Sequence, residues 1–84
     1  MKELCGQFGG AVRQSREQHG WSQEVLADRA GLNRSYLGEI ERGSSVPSLA
    51  TISKIAQALN MNMSTLLARC EQSSHEKPSQ AASL

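Results

Sequence analysis

Apolar residues recur three and four positions apart along most of the chain, and no stretch alternates apolar and polar residues. A spacing of three to four places side chains on one face of an α-helix, whereas a period of two would indicate a β-strand. The pattern therefore predicts an all-α fold, a compact bundle of five short helices.

Stop and start residues divide the apolar runs into these five helices. The inner faces are expected to carry Phe8, Ala11, Val12 and Ser15; Val25, Leu26 and Ala30; Leu32, Leu37 and Ile40; Leu49, Ile52, Ile55, Ala56 and Leu59; and Leu66 and Leu67. Gly20, Gly31 and Gly43 follow the first three helices, where the left-handed backbone favours glycine. Ser22 can cap the second helix. Gly9 and Gly10 weaken the first helix, whose beginning is expected to fray.

The second and third helices are predicted to cross at a steep angle through a short turn. Ala27 lets the two backbones approach, and Gly31 permits the conformation of the turn. Leu26, Leu37 and Ile40 can lock the crossing. This combination indicates a helix-turn-helix at the second and third helices.

The outward face of the third helix collects hydrogen-bonding side chains. A surface helix fits the major groove of B-DNA, where its first residues reach the base edges. Five residues are therefore candidates for base reading: Asn33, Arg34, Ser35, Tyr36 and Glu39. Arg34 can donate two hydrogen bonds to guanine. Tyr36 contacts either a thymine methyl group or a phosphate, or it covers the edge of the core. Glu39 either accepts from cytosine or pairs with a basic neighbour.

Two other segments are candidates for contacts with the DNA phosphates. Ser22 and Gln23 lie at a helix N-terminus, whose free amides favour an anion. Arg42, Ser44 and Ser45 follow the recognition helix and can hold the backbone. Such contacts would position the protein without reading sequence.

A long segment carries these motifs together: WSQEVLADRAGLNRSYLGEIERGSSVPSLATISKIAQALNM. It resembles the lambda-repressor-like (Cro/C1, or Xre) helix-turn-helix proteins, and the resemblance spans Phe8 to Leu67. Within that family the chain is most similar to the stand-alone controller proteins of restriction-modification systems. Those proteins are short, lack a second domain and often contain a run like Arg34-Ser35-Tyr36.

The resemblance implies a sequence-specific transcriptional regulator that binds a pseudo-palindromic operator as a homodimer and controls its own promoter. It also implies a structural ion pair between Arg16 and Glu41 that joins the first and third helices. Two positions depart from the family pattern. Ser15 stands where an apolar residue is usual and is expected to loosen the packing of the first helix, and Asn60 stands where glycine is frequent.

The domain that reads DNA is expected to span residues 1–70 and also to hold the dimer together, because no second domain is expected in 84 residues. The end of this domain offers a candidate apolar interface. It consists of Leu59, Met61, Met63, Leu66 and Leu67. Residues 71–84 (EQSSHEKPSQAASL) lack apolar periodicity, which predicts a flexible tail.

Charge and composition add little to the prediction of DNA binding, but they argue against metal binding, a cofactor and a membrane segment. The net charge is only +1, so a polyanionic partner must be argued from the placement of charges. Cys5, Cys70, His19 and His75 lack metal-ligand spacing, so we expect no metal and no cofactor. Without an apolar run long enough for a membrane or a signal segment, the sequence predicts a cytoplasmic protein. The family resemblance implies that a bacterium or phage encodes it.

Catalysis is not expected, because the chain has no nucleophile-base set, phosphate loop or paired carboxylates in a plausible cleft. The expected partners are double-stranded DNA and a second copy of the chain, with RNA polymerase a further candidate and no small-molecule effector. The alternative is a protein-interaction module, such as an antitoxin, on the same fold, because a fold does not determine a function.

Overall fold

Five α-helices make up the part of the chain that the computed structural model describes, residues 2–75. They are α1 (Lys2–Gln18), α2 (Gln23–Ala30), α3 (Arg34–Arg42), α4 (Leu49–Ala58) and α5 (Met63–His75). No strand occurs within this range. The prediction of an all-α fold with a helix-turn-helix at α2 and α3 is confirmed.

Helix α2 begins, and helices α2 and α3 end, at the residues that the sequence predicts. The hydroxyl of Ser22 accepts a hydrogen bond from the backbone N–H of Val25 at the start of α2. Gly31 and Gly43 end α2 and α3 with φ angles of 69° and 79°, in the left-handed region that glycine tolerates. Asn60, in place of the usual glycine, adopts a φ of 60° after α4. The two helices of the motif are therefore delimited by local chemistry.

Helix α1 is continuous from Lys2 and passes through Gly9 and Gly10 without interruption. Gly9 is buried, and a Cβ atom there would overlap the carbonyl oxygen of Ile40 and lie 2.6 Å from that of Glu41. Gly10 is exposed, and a Cβ atom there would have no neighbouring atom within 4 Å. Gly9 thus lets α1 touch the end of α3 directly, and this packing compensates for the poor helix propensity of glycine.

One core lies between the five helices, and α1 packs against both α3 and α5. Its largest fully buried side chains include Val12, Leu26, Leu37, Ile40, Ile55, Leu59 and Leu66. Ser15 is also buried, and its hydroxyl accepts a hydrogen bond from Arg69 Nη1 at 2.9 Å. Ser15 therefore connects α1 to α5 rather than loosening α1.

Two residues assigned to the dimer interface belong to this core instead. Leu59 is 2% exposed and Leu66 is fully buried, so neither side chain can reach a second molecule. Met61 and Met63 are half-buried against the same core. Of the predicted set only Leu67 is exposed. The prediction was wrong for Leu59 and Leu66, because helical spacing identifies an apolar face but not which neighbour covers it.

Helix α5 also extends beyond the predicted end of the domain at residue 70, and it continues to His75. Its last turns therefore include the first part of the segment predicted to be a tail. The remainder of that segment, residues 76–84, lies outside the described residues.

Candidate nucleic-acid interface

Helix α3 has one face in the core and one face in solvent. Leu37 and Ile40 are fully buried, whereas Arg34, Ser35 and Glu39 are exposed. Tyr36 is half-buried and packs against the edge of the core. The side chains of Arg34 and Arg42 have no hydrogen-bond or ion-pair partner within residues 3–71, whose side chains the structure describes. The structure thus presents two cationic donors on an exposed helix face.

Asn33 organises the start of this helix. Its side-chain oxygen accepts hydrogen bonds from the backbone N–H of Ser35 at 2.7 Å and of Tyr36 at 3.4 Å. This N-cap satisfies amides that would otherwise lack a partner. The cap uses the oxygen of the Asn33 amide and leaves its NH₂ group as a donor beside Arg34. Asn33 therefore positions the first turn of α3, which carries most of the candidate base-reading residues.

A buried ion pair fixes the other end of α3 to α1. Arg16 Nε lies 2.8 Å and Arg16 Nη2 lies 3.0 Å from the two carboxylate oxygens of Glu41, so the contact is bidentate. The side chains are only 11% and 3% exposed. The hydrogen bonds to Glu41 raise the pKa of Arg16, although burial acts in the opposite direction. The ion pair that the family resemblance implied is thus present and links α1 to α3.

Gln23 extends this network to α2. Its side chain, which was a candidate for a phosphate contact, is bound within the protein instead. Its amide donates to Glu41 Oε1 at 3.0 Å, so Glu41 binds Arg16 and Gln23 at once. Arg16 Nη1 also donates to the backbone oxygen of Trp21 at 2.8 Å, just before α2. The two helices of the motif and α1 are therefore held by one set of charge-assisted hydrogen bonds.

The loop after α3 folds back on the helix through its serines. Ser44 Oγ donates to the backbone oxygen of Glu39 at 3.2 Å, and Ser45 Oγ donates to the Glu39 carboxylate at 2.9 Å. Glu39 thus has a hydroxyl partner rather than the basic neighbour that was one of its expected alternatives. These bonds hold the loop against the exposed end of α3.

A stack of side chains at the turn before α2 was not anticipated from the sequence. The guanidinium of Arg29 lies 4.4 Å from the centre of the Trp21 ring system, and the His19 ring stacks on Trp21 with centroids 4.3 Å apart. His19 Nε2 lies 3.2 Å from the backbone oxygen of Leu59. The stack holds the turn that precedes Ser22. The three residues are spread over eleven positions, so their spacing in the sequence offered no signal.

Comparison with known proteins places this arrangement in a family. The family model described as helix-turn-helix matches residues 12–66. The transcriptional regulator SutR of Escherichia coli is 40% identical over 67 residues, which are 80% of this chain but only 38% of SutR. The crystal structure of the restriction-modification controller protein C.AhdI from Aeromonas hydrophila is 44% identical with a TM-score of 0.72, and the match covers 74% of this chain and 94% of that one.

A further solved structure contains DNA. The biofilm regulator SinR in complex with DNA has 36% identity and a TM-score of 0.68, and the match covers 71% of this chain and 97% of that one. The chain belongs to the helix-turn-helix family of the Cro/C1 (Xre) type. The homologues in this family are DNA-binding transcription regulators and not enzymes. Restriction-modification controllers are among its relatives.

The chain spans about two fifths of the length of SutR. Within residues 2–75, no helix combines the length and the apolar character that crossing a membrane requires.

Proposed function

We propose that this protein is a sequence-specific transcriptional regulator that inserts α3 into the major groove of DNA. The observation that carries the proposal is the exposed first turn of α3, where the side chain of Arg34 has no partner within residues 3–71 and the neighbouring residues are held in place. Asn33 caps the turn, and the Arg16–Glu41 ion pair anchors the other end. A recognition element needs this rigidity, because base contacts depend on accurate placement of the donors.

Base reading is assigned to the N-terminal half of α3. Arg34 donates two hydrogen bonds to the edge of a guanine, and the NH₂ group of Asn33 together with the hydroxyl of Ser35 adds neighbouring contacts. Tyr36 reaches a thymine methyl group or a phosphate from the edge of the core. Glu39 accepts from cytosine, and its carboxylate is held by the hydroxyl of Ser45.

Phosphate binding is assigned to the two ends of the motif. Arg42 is exposed at the end of α3, and Ser44 follows it. At the start of α2, Ser22 is exposed, and helix N-termini of this kind favour anions. The side chain of Gln23 is already bound to Glu41, so its contribution is to hold that helix start in position.

The regulator acts as a homodimer on a pseudo-palindromic operator, with two copies of α3 in successive major grooves about 10 bp apart. The similarity to the controller protein C.AhdI supports control of the protein's own promoter, with RNA polymerase as a candidate partner in the cytoplasm of a bacterium. Protein concentration then sets promoter occupancy.

The test compares Arg34→Ala with Arg42→Ala in a selection of bound DNA from a random pool. Arg34→Ala is expected to relax the choice of one base pair in each half-site, at a cost of about 1–3 kcal/mol for a bidentate contact. Arg42→Ala is expected to weaken binding to all DNA sequences alike. It should also reduce the dependence of affinity on salt, because a phosphate contact releases counterions.

The same selection on the parent decides the proposal. Enrichment of a two-fold symmetric site supports it, and failure of the parent to select any sequence would overturn it. Unchanged base preference in Arg34→Ala would move base reading to Asn33, Ser35, Tyr36 or Glu39 while leaving the DNA-binding function in place.

A further inference from the structure

A polar pocket opens where the end of α1, the loop after α4 and the first two turns of α5 meet. It has a volume of about 490 Å³, within the usual range of small-molecule sites. Amide and hydroxyl groups from Gln18, Asn60, Asn62 and Thr65 line it, together with the guanidinium of Arg69. No residue that the proposed function assigns to DNA belongs to this lining. The pocket therefore needs an explanation of its own.

The lining of the pocket offers hydrogen-bond donors and a cation but no carboxylate. None of the lining residues is Asp or Glu, whereas Arg69 is positively charged. The amides of Asn60 and Asn62 can each donate two hydrogen bonds, and the hydroxyl of Thr65 can donate one. Thr65 also lies in the first turn of α5, where the helix dipole favours negative charge. The pocket is thus suited to an anion.

Arg69 is held in place through one of its terminal nitrogens. Its Nη1 donates to the Ser15 hydroxyl at 2.9 Å and to the side-chain oxygen of Gln18 at 3.0 Å. Ser15 is 1% exposed, so this anchor belongs to the packed interior. Nε and Nη2 of Arg69 have no partner within residues 3–71, whose side chains the structure describes. A positioned guanidinium therefore keeps two donors for a ligand, and positioning in advance lowers the cost of binding.

A second arginine of the same protein shows what this pair of donors binds. Arg16 uses Nε and Nη2 to contact both carboxylate oxygens of Glu41, at 2.8 and 3.0 Å. Two parallel N–H groups match the spacing of two oxygens in a carboxylate or a phosphate. Arg69 has the same two donors, and no carboxylate of the chain lines its pocket. An oxyanion from outside the chain would complete the same geometry at Arg69.

We propose that this pocket binds a small polar organic anion, a phosphate monoester or a carboxylate, whose oxyanion contacts Nε and Nη2 of Arg69. The volume suits a small molecule rather than a bare inorganic ion, and the amides and hydroxyls of the lining suit a polar one. The inference goes beyond the proposed function, because DNA reading uses none of these residues. It also departs from the expectation of no small-molecule effector, because residues from position 15 to position 69 form the pocket and no local pattern reveals it.

The wall of the pocket contains a reporter of binding. His19 lines the pocket, and its Nε2 lies 3.2 Å from the backbone oxygen of Leu59. The His19 ring stacks on Trp21 with centroids 4.3 Å apart. Trp21 is the single tryptophan of the chain. A ligand in the pocket changes the surroundings of His19 and should therefore alter the tryptophan fluorescence.

The first experiment titrates the protein with two matched pairs of probes at low salt and follows tryptophan fluorescence and the heat of binding. Ribose 5-phosphate is compared with ribose, and gluconate is compared with glucose. At least one anion should bind with a dissociation constant below about 1 mM. It should also bind at least about tenfold more tightly than its neutral counterpart, because only the anion can pair with Arg69. The tighter of the two anions identifies the headgroup as phosphate or carboxylate.

The second experiment repeats the titration on a variant of the proposed anion ligand. Arg69→Gln should weaken anion binding at least about tenfold, because it removes both donors and the charge. Arg13→Gln is the matched control, since Arg13 is an exposed arginine of α1 that does not line the pocket. It removes the same charge from the protein and should bind the anion like the parent. Circular dichroism verifies that each variant retains its helices.

Thr65→Glu tests the same site without removing Arg69. Thr65 is exposed in the first turn of α5, where an acidic residue stabilises the helix, so this variant should fold. The new carboxylate can pair with Arg69, four residues further along the helix, and should weaken anion binding at least about tenfold. Ser64→Glu adds the same charge at the neighbouring exposed position, which does not line the pocket. Its affinity for the anion should stay within about threefold of that of the parent.

Three outcomes would overturn the inference: a parent that binds neither anion better than its neutral counterpart, equal weakening by Arg69→Gln and Arg13→Gln, or equal weakening by Thr65→Glu and Ser64→Glu. If Arg69→Gln loses its helices, the comparison of Thr65→Glu with Ser64→Glu decides. No DNA is present in these titrations, so their result is independent of whether the protein selects a DNA sequence.

Discussion

Single residues around α3 show which polar groups are engaged within the protein and which remain available. Asn33 caps the helix, Ser45 binds the Glu39 carboxylate, and Glu41 receives three hydrogen bonds. Arg34 stays exposed without a partner in the described range. The sequence could predict that these residues lie in one region. It could not predict which of them bind other groups of the protein and which remain free to bind DNA, because that depends on distances in the folded structure.

Gly9 offers a prediction at this scale, with Gly10 as its control. Gly9→Ala should destabilise the protein by about 1–3 kcal/mol, because its Cβ would meet the backbone oxygens of Ile40 and Glu41, which cannot rotate away. Gly10→Ala adds the same atom on the exposed side of α1 and should stabilise by about 0.5–1 kcal/mol through helix propensity. Urea denaturation at equal protein concentration measures both. Similar effects of the two substitutions would show that α1 and α3 are not in backbone contact.

At the level of elements, the helix-turn-helix is held to the rest of the bundle by polar contacts as well as by the core. Arg16 belongs to α1, Gln23 to α2 and Glu41 to α3, and the three side chains meet at the Glu41 carboxylate. The family resemblance supplied the first and last of these residues. Gln23 could not be added from the sequence, because an amide at a helix start is equally suited to a phosphate and to a carboxylate of its own protein.

Breaking this contact should lower the stability of the fold more than it weakens the contacts with DNA. Arg16→Ala or Glu41→Ala leaves a buried charge without its partner, which typically costs about 3–5 kcal/mol. Arg13→Ala is the control, because the Arg13–Glu17 pair on α1 is 64% and 56% exposed, and such pairs contribute about 0–1 kcal/mol. Thermal melts of the three variants provide the comparison. A melting temperature of Arg16→Ala within a degree or two of the parent would contradict a structural role for the pair.

Viewed as a whole molecule, the protein is a small bundle in which α3 exposes a polar face. Its net charge of +1 provides little general attraction to DNA, so in the proposed regulator the affinity comes from placed contacts and from the two copies of a dimer. A domain of this size also buries only a modest share of its surface, which makes association with a second copy energetically useful.

Association should therefore be visible in the stability of the protein. If the native state is a dimer, the melting temperature should rise by several degrees over a hundredfold increase in protein concentration, because only the folded state binds the partner. Leu67→Glu should lose this dependence while still melting cooperatively. Scanning calorimetry or circular dichroism at matched scan rates measures it. A parent whose melting temperature does not change over that range would argue against a dimer of folded subunits.

The sequence by itself determined the five helices, their caps and the polar outward face of α3, because helix periodicity, capping and turn conformation are properties of neighbouring residues. Ser22 and Gly43 illustrate this, since each acts on atoms within a few positions of itself. The family resemblance likewise identified the Arg16–Glu41 pair. Local chemistry was thus sufficient where the interacting residues are close together in the sequence. For more distant residues, the family pattern was needed.

Only the tertiary structure decided which apolar residues are covered. Leu66 and Leu67 are adjacent in the sequence, yet Leu66 is fully buried and Leu67 is 38% exposed. Val46 was not singled out by any helical pattern, and its exposure depends on how the loop lies against α1 and α5. The physical reason is that burial is a property of the packed surface, which residues distant in the chain form together.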